Sequence, residues 1–169
     1  MATDHLKGKW ALILGASSGF GAATSRALAR AGMHIIGVHL DRRATMPVVE
    51  QLVNELRSAG AQALFFNVNA ADPVKRQEVL DQIQPKLGGS TITVLMHSLA
   101  FGTLKPYVAS DPKEQLTQDQ MEMTLDVMAN SLVYWTQDLI ARKILGKGSR
   151  VFAMTSSGGA RVWPTYGAV

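Results

Sequence analysis

A seven-residue stretch, Gly15-Ala16-Ser17-Ser18-Gly19-Phe20-Gly21, joins a short apolar run, Trp10–Leu14, to a segment with helical spacing. One glycine in such a turn lets the chain leave a strand sharply. Another lets the backbone approach a pyrophosphate with no side chain between them, and the last lets helix and sheet pack closely. A helix that starts there offers unpaired N–H groups and the positive end of its dipole to an anion. Without a ligand the same residues are a plain glycine-rich turn. Placed between the first strand and first helix of a βαβ unit, they are expected to hold a dinucleotide through Gly15, Ser17, Ser18, Gly19, Phe20 and Gly21. The absence of a Lys and Ser/Thr pair after the glycines argues against a P-loop nucleotidase. Toward the other end of the chain, Ser156 and Tyr166 follow a strand-like run and bring two hydroxyls. A tyrosine ordinarily titrates near about 10, so at neutral pH it is a proton donor for an oxygen on which negative charge develops.

The elements that must position these groups alternate along the chain. Trp10–Leu14 reads as a strand. Phe20–Ala31 carries Ala23, Ala27, Leu28 and Ala31 at helical spacing and stops at Gly32. His34–Leu40 is strand-like, and Val48–Ser58 places Val49, Leu52, Val53 and Leu56 on one helical face. Ala61–Val68 is a third strand. Asp72 then caps a helix opened by Pro73 and running through Val79, Leu80 and Ile83. Thr91–Met96 is a fourth strand, Asp119–Lys143 a long helix and Arg150–Thr155 a fifth strand. Continuous apolar strands separated by helices predict a Rossmann-type α/β fold: a doubly wound, mostly parallel sheet with helices on both faces, in three α/β/α layers. The irregular stretch from Ala100 to Gln118 is long for a plain connection and is a candidate functional loop.

Composition narrows the chemistry. The 169 residues suit one dinucleotide-binding domain, and 47% hydrophobic against 18% charged residues excludes a disordered or coiled-coil chain. There are no cysteines, so disulfides and thiolate zinc sites are excluded, and no His/Asp/Glu cluster suggests a metal. The net charge of +4 comes from scattered basic residues with no stripe of interleaved aromatics, so no nucleic-acid partner is expected. A basic surface does suit a phosphorylated cofactor or an acidic carrier protein. Met1 to Lys9 is polar and charged, and no apolar stretch is long enough to span a bilayer. A cytoplasmic protein without a membrane segment is the expectation.

The Gly-x3-Gly-x-Gly spacing resembles the first turn of the short-chain dehydrogenase/reductase family. Asn67-Val68, at the end of the third strand, resembles that family's adenine-contacting segment. The acidic position that usually holds the ribose hydroxyls at the end of the second strand falls on His39, with Asp41 two residues further on. Arg42 and Arg43 follow; they either bind a ribose 2′-phosphate or form a solvated helix start. NADPH is the expected cofactor, with NADH the alternative.

Within the family, one branch is the closer match. Thirteen residues before Tyr166, where the standard members place a serine, stands Ala153 inside a strand. Ten residues before it stands Ser156, and Arg161 and Pro164 precede it, which resembles the enoyl-acyl-carrier-protein reductases. Met96-His97-Ser98-Leu99-Ala100-Phe101-Gly102 is similar to their His-Ser-Ile-Gly/Ala-Phe segment, and Asp126 replaces the family's usual helix asparagine. The resemblance implies that Tyr166 and Ser156 are catalytic, that Ser98, Leu99 and Ala100 flank the cofactor, and that His97 serves as a structural residue. Phe101, Tyr107 and Trp163 line an acyl pocket or just pack. It further implies an acyl-thioester substrate on acyl carrier protein in fatty-acid synthesis, and a homotetramer or homodimer built on the long helix. Its stripe of Met121, Leu125, Met128 and Leu132 is core or subunit contact. The branch's lysine, separated from the tyrosine by six residues, falls beyond Val169, so the chain is expected to be incomplete at its C-terminus. The alternatives are another member of the family acting on a ketone or alcohol, such as a 3-ketoacyl thioester or a steroid, and a non-catalytic nucleotide-binding protein.

Overall fold

The computed structural model describes residues 4–169. Its sheet contains β1 (Trp10–Leu14), β2 (His34–His39), β3 (Ala63–Asn67), β4 (Ile92–His97) and β5 (Arg150–Ala153), in the order β3-β2-β1-β4-β5. All pairings are parallel, with Leu14 opposite both Val38 and His97, His39 opposite Asn67, and His97 opposite Ala153. The carboxyl ends of all five strands therefore finish along one edge. The strand order reverses between β1 and β4, and a crevice for a ligand opens at such a switch point.

Helices α1 (Gly19–Arg30), α2 (Met46–Ser58) and α3 (Pro73–Ile83) connect the strands. Alternate residues of β1 feed two separate cores. Ala11 and Ile13 pack with Ala29, Leu52 and Leu56 of α1 and α2. Leu12 and Leu14 pack with Val79, Leu80, Ile83, Trp135 and Leu139 on the opposite face. Trp135 is fully buried, and its indole N–H donates to the Ala70 carbonyl at 2.9 Å, which satisfies the one polar atom the ring carries inward. Asp72 caps α3 as its sequence position implies, accepting from the amides of Val74 and Lys75.

Several boundaries differ from the sequence expectation for local physical reasons. Strand β3 starts at Ala63 because the Ala61 amide still bonds to Leu56 and closes the end of α2. The Gln62 amide is meanwhile taken by His34 Nδ1. Leu40 lies outside β2 and is 67% exposed. The long helix expected over Asp119–Lys143 runs without interruption from Gln118 to Ala141, but a π-helical turn over Asp126–Asn130 separates its α-helical parts α4 (Gln118–Leu125) and α5 (Ser131–Ala141). Inside the turn, the Val127 carbonyl accepts from the Ser131 hydroxyl at 3.0 Å and from His97 Nε2 at 3.2 Å. These side-chain donors accompany the wider turn. At the far edge, β5 pairs with β4 while Val151 and Phe152 stay about half exposed.

Candidate functional site

The glycine turn sits where β1 meets the end of β4. Gly15 has φ +86, its amide donates to Val38, and a Cβ on it would collide with the Ser98 carbonyl. Ser98 in turn donates its amide to Leu14 at 2.8 Å. Gly21 is just as tight, since a Cβ there would run into the Gly15 carbonyl. Gly19 is the opposite case: its φ is +51 and a Cβ on it would meet open space. Ser18 caps α1 in an extended conformation, and its hydroxyl makes no cap bond. The first N–H groups of the helix thus face an open cradle, floored by Gly19 and edged by Ser17 and Ser18. That cradle fits the pyrophosphate of a dinucleotide. Phe20, 71% exposed, stands beside it.

At the end of β2, His39 is buried and its Nδ1 lies 2.9 Å from Asp41 Oδ2. Burial pushes the imidazole below its ordinary value, only partly offset by Asp41, so His39 is neutral near pH 7 and donates from Nδ1. Burial alone would raise the Asp41 carboxyl. The donors Ser17, Thr45 and His39 outweigh that and hold it below the usual carboxylate range. Thr45 donates to Oδ1 at 2.8 Å. Asn67 closes the arrangement, donating to the Asp41 carbonyl and accepting from its amide, both at 2.9 Å. The carboxylate is thus engaged on both oxygens by the protein's own donors. Arg42 and Arg43 are exposed and form no ion pair among the described residues. Sequence reading named His39, Arg42, Arg43 and Asn67 here but did not foresee the part played by Thr45. An Asp followed four residues later by Thr was the available signal. Val68, next to Asn67, donates its amide to the His39 carbonyl and is half-buried.

The end of β4 is pinned from the other side. His97 is buried, and its Nε2 lies 2.9 Å from the Ser131 hydroxyl as well as near the Val127 carbonyl. Burial holds its imidazole below the ordinary value against the raising effect of that carbonyl. It fastens the strand to the π-helical turn, a structural part. Ser98 and Leu99 are half-buried and Ala100 exposed as the chain leaves β4. The Phe101 amide then reaches Met128 Sδ at 3.1 Å, and the Thr103 amide donates to Thr124 Oγ1 at 3.0 Å. Met128 thus packs against the base of the long connection. Asp126 is exposed and bonded to Asn130.

After β5, Ser156 accepts the Gly158 amide on its Oγ at 3.1 Å. The Tyr166 ring rests on the same Gly158, where a Cβ would come within 2.5 Å of it. Ser156 and Tyr166 thus meet across one glycine. Ala153 is in β5, paired with His97, and takes no part. The Trp163 ring lies 6.1 Å from Tyr166, and Phe101 and Trp163 are 60% and 51% exposed. Among the described residues no group of three or more His, Asp or Glu could hold a metal, and no helix is long and apolar enough to cross a membrane.

Comparisons with known proteins agree with this fold. A family model described as enoyl-(acyl carrier protein) reductase matches residues 15–169. The glycine betaine reductase ATRR of Emericella nidulans is 30% identical over 166 residues, covering 96% of this chain and 12% of that protein. Among solved structures, a short-chain dehydrogenase/reductase from Serratia marcescens superposes with a TM-score of 0.76 at 24% identity, over 93% of this chain and 59% of its own. An NAD+-bound xylitol dehydrogenase superposes with a TM-score of 0.78 at 18% identity, over 96% of this chain and 58% of its own. The chain thus spans less than two thirds of the length of each of these relatives.

Proposed function

The chain belongs to the short-chain dehydrogenase/reductase family, and on that premise we propose that it carries the cofactor site and part of the catalytic site of an NADPH-dependent reductase that saturates the double bond of a 2-enoyl thioester. The observation that carries the proposal is the meeting of Ser156 and Tyr166 across Gly158: the Gly158 amide donates to Ser156 Oγ and the Tyr166 ring rests on the same glycine. The nicotinamide, when bound, supplies a hydride to the β-carbon of the substrate. Negative charge then builds on the thioester oxygen, and Tyr166 donates its hydroxyl proton toward that oxygen. Ser156, already accepting from Gly158, keeps its own proton free to donate to the same oxygen or to orient the carboxamide of the cofactor.

The remaining residues bind and shape. The helix N-terminus and Gly15 to Gly21 hold the pyrophosphate through backbone N–H groups. Asn67 and Val68 flank the adenine, and Ser98, Leu99 and Ala100 flank the nicotinamide half. A bidentate grip on a ribose diol would compete with the donors His39 and Thr45 that Asp41 already accepts, one on each oxygen. Arg42 and Arg43 are free to bind a 2′-phosphate, which favours NADPH over NADH. Phe101 and Trp163 form the apolar wall for the acyl chain. An acidic carrier protein suits the net charge of +4. Exposed Leu125, Val133 and Ile140 on α4 and α5 suit a homodimer or homotetramer in the cytoplasm.

A second reading, reduction of a ketone or oxidation of an alcohol, draws on the names of the relatives, which include a betaine reductase and a xylitol dehydrogenase. One assay separates the two: oxidation of NADPH by the protein as encoded, with crotonyl thioester beside acetoacetyl thioester. Turnover of the second substrate alone overturns the enoyl assignment.

A further inference from the structure

Among the described residues, the hydrogen bonds of residues 155–169 join members of the same segment: Gly158 to Ser156 Oγ at 3.1 Å, Gly159 to the Ser156 carbonyl at 3.2 Å, and Tyr166 to the Trp163 carbonyl at 3.2 Å. Thr165, directly before Tyr166, sits at φ +65. A β-branched residue adopts that left-handed conformation when its surroundings impose it.

The long connection after β4 supplies those surroundings. The Tyr107 ring lies over Gly167, where a Cβ would come within 2.5 Å of its Cζ and 2.7 Å of its hydroxyl oxygen. In the reverse direction, the Val169 side chain lies over Gly102, where a Cβ would come within 2.7 Å of Val169 Cγ2 and 2.6 Å of Thr124 Cγ2. Each segment seats a side chain of the other in room that only a glycine leaves. The connection is itself fixed at both ends. Its base is tied to Met128 and Thr124, and its tip closes through Leu116 N–H to Pro106 at 2.9 Å and Gln115 Nε2 to Ala109 at 3.1 Å. The connection, tied to α4 at Thr103, thus carries Tyr107 onto the residue that follows Tyr166.

We propose that Tyr107 is a positioning residue for Tyr166: its ring, seated on Gly167, sets where the Tyr166 hydroxyl stands. This rests on the reading of Tyr166 as the hydroxyl donor. The hydroxyl of Tyr107 is dispensable for the role and its ring is not. The 155–169 segment then takes up its working position only when the connection is closed over it.

The test uses the protein as encoded and four variants: Tyr107→Ala, Tyr107→Phe, Gly167→Ala and Tyr166→Phe. Backbone hydrogen exchange over residues 160–169 is measured first, without substrate. Exchange should speed up by about tenfold or more in Tyr107→Ala and Gly167→Ala and stay unchanged in Tyr107→Phe. In crotonyl-thioester reduction, kcat should fall by about ten- to a hundredfold in the first two, with the KM for NADPH unchanged and Tyr107→Phe near the parent. Unchanged exchange in both Tyr107→Ala and Gly167→Ala overturns the proposal. So does a Tyr107→Phe variant as impaired as Tyr107→Ala, because it shifts the role to the hydroxyl. If Tyr166→Phe keeps full turnover, the donor assignment fails, and the exchange measurement alone then decides whether Tyr107 seats the segment.

Discussion

Asn67 holds Asp41 by both sides of its backbone, donating from Nδ2 to its carbonyl and accepting its amide on Oδ1, each at 2.9 Å. This pairing across the ends of β2 and β3 fixes the start of the turn that presents Arg42 and Arg43. Replacing both arginines with alanine should weaken NADPH by about 1–3 kcal/mol, the scale of a charge-assisted hydrogen bond, and NADH much less. Calorimetric titration with each dinucleotide reads the difference. An equal loss for both, or a parent that prefers NADH, removes the arginines from the cofactor site.

The glycines of the turn should separate into two kinds. Gly19→Val meets nothing within 4 Å in the folded chain, so the fold should survive with some loss of stability from its φ of +51. Its side chain would occupy the cradle, so dinucleotide binding should be lost. Gly15→Ala should instead lower stability by more than about 1–2 kcal/mol, from its φ of +86 and the collision with the Ser98 carbonyl. Circular dichroism melts should show the larger loss of stability in Gly15→Ala, which also collides with a carbonyl, and cofactor titration should show lost binding in a folded Gly19→Val. A Gly19→Val variant with undiminished affinity refutes the cradle.

Stability should fall on the acid side of neutrality. His39 and His97 both have pKa values held below the ordinary 6.5 by burial. The unfolded chain therefore binds protons there before the folded one does, and stability rises with pH through the window just below 6.5. Asp41, depressed below its ordinary 3.8, acts in the same direction at lower pH, its contribution being lost as pH falls through the folded value. Melting temperature should drop from pH 7 to pH 5, and His97→Gln should flatten that slope. A slope unchanged in the variant would show that His97 does not titrate between the two states.

The framework was legible in the sequence because its signals are local. The glycine turn, the Asp72–Pro73 helix start and the apolar strand runs each lie within a few residues of the element they specify. The π-helical turn inside the long helix was not legible. Val127 takes a bond from His97, 30 residues earlier in the chain, and neither residue advertises it. The same limit hid the engagement of Asp41, whose partner Asn67 lies 26 residues away. His39 was found only by counting from Gly15, and counting could not reveal that its imidazole would face a carboxylate. The seat of Tyr107 on Gly167 joins two irregular segments, for which periodicity offers no signal at all.

Catalysis gives the sharpest test. Tyr166→Phe keeps the ring that packs on Gly158 and removes only the hydroxyl. Loss of one preorganised donor costs on the order of 2.7–4 kcal/mol, or roughly a hundred- to a thousandfold in turnover. Cofactor affinity should barely change, because the phosphates are held at the glycine turn and the helix N-terminus. Steady-state rates with crotonyl thioester, beside NADPH titration of the same variant, check both halves. Turnover within a few-fold of the parent would mean that another group stabilises the developing negative charge, with Ser156 first in line across the shared glycine. A parallel fall in turnover and in cofactor affinity would make Tyr166 a packing residue. The chemistry would then have to be sought elsewhere along the carboxyl edge of the sheet.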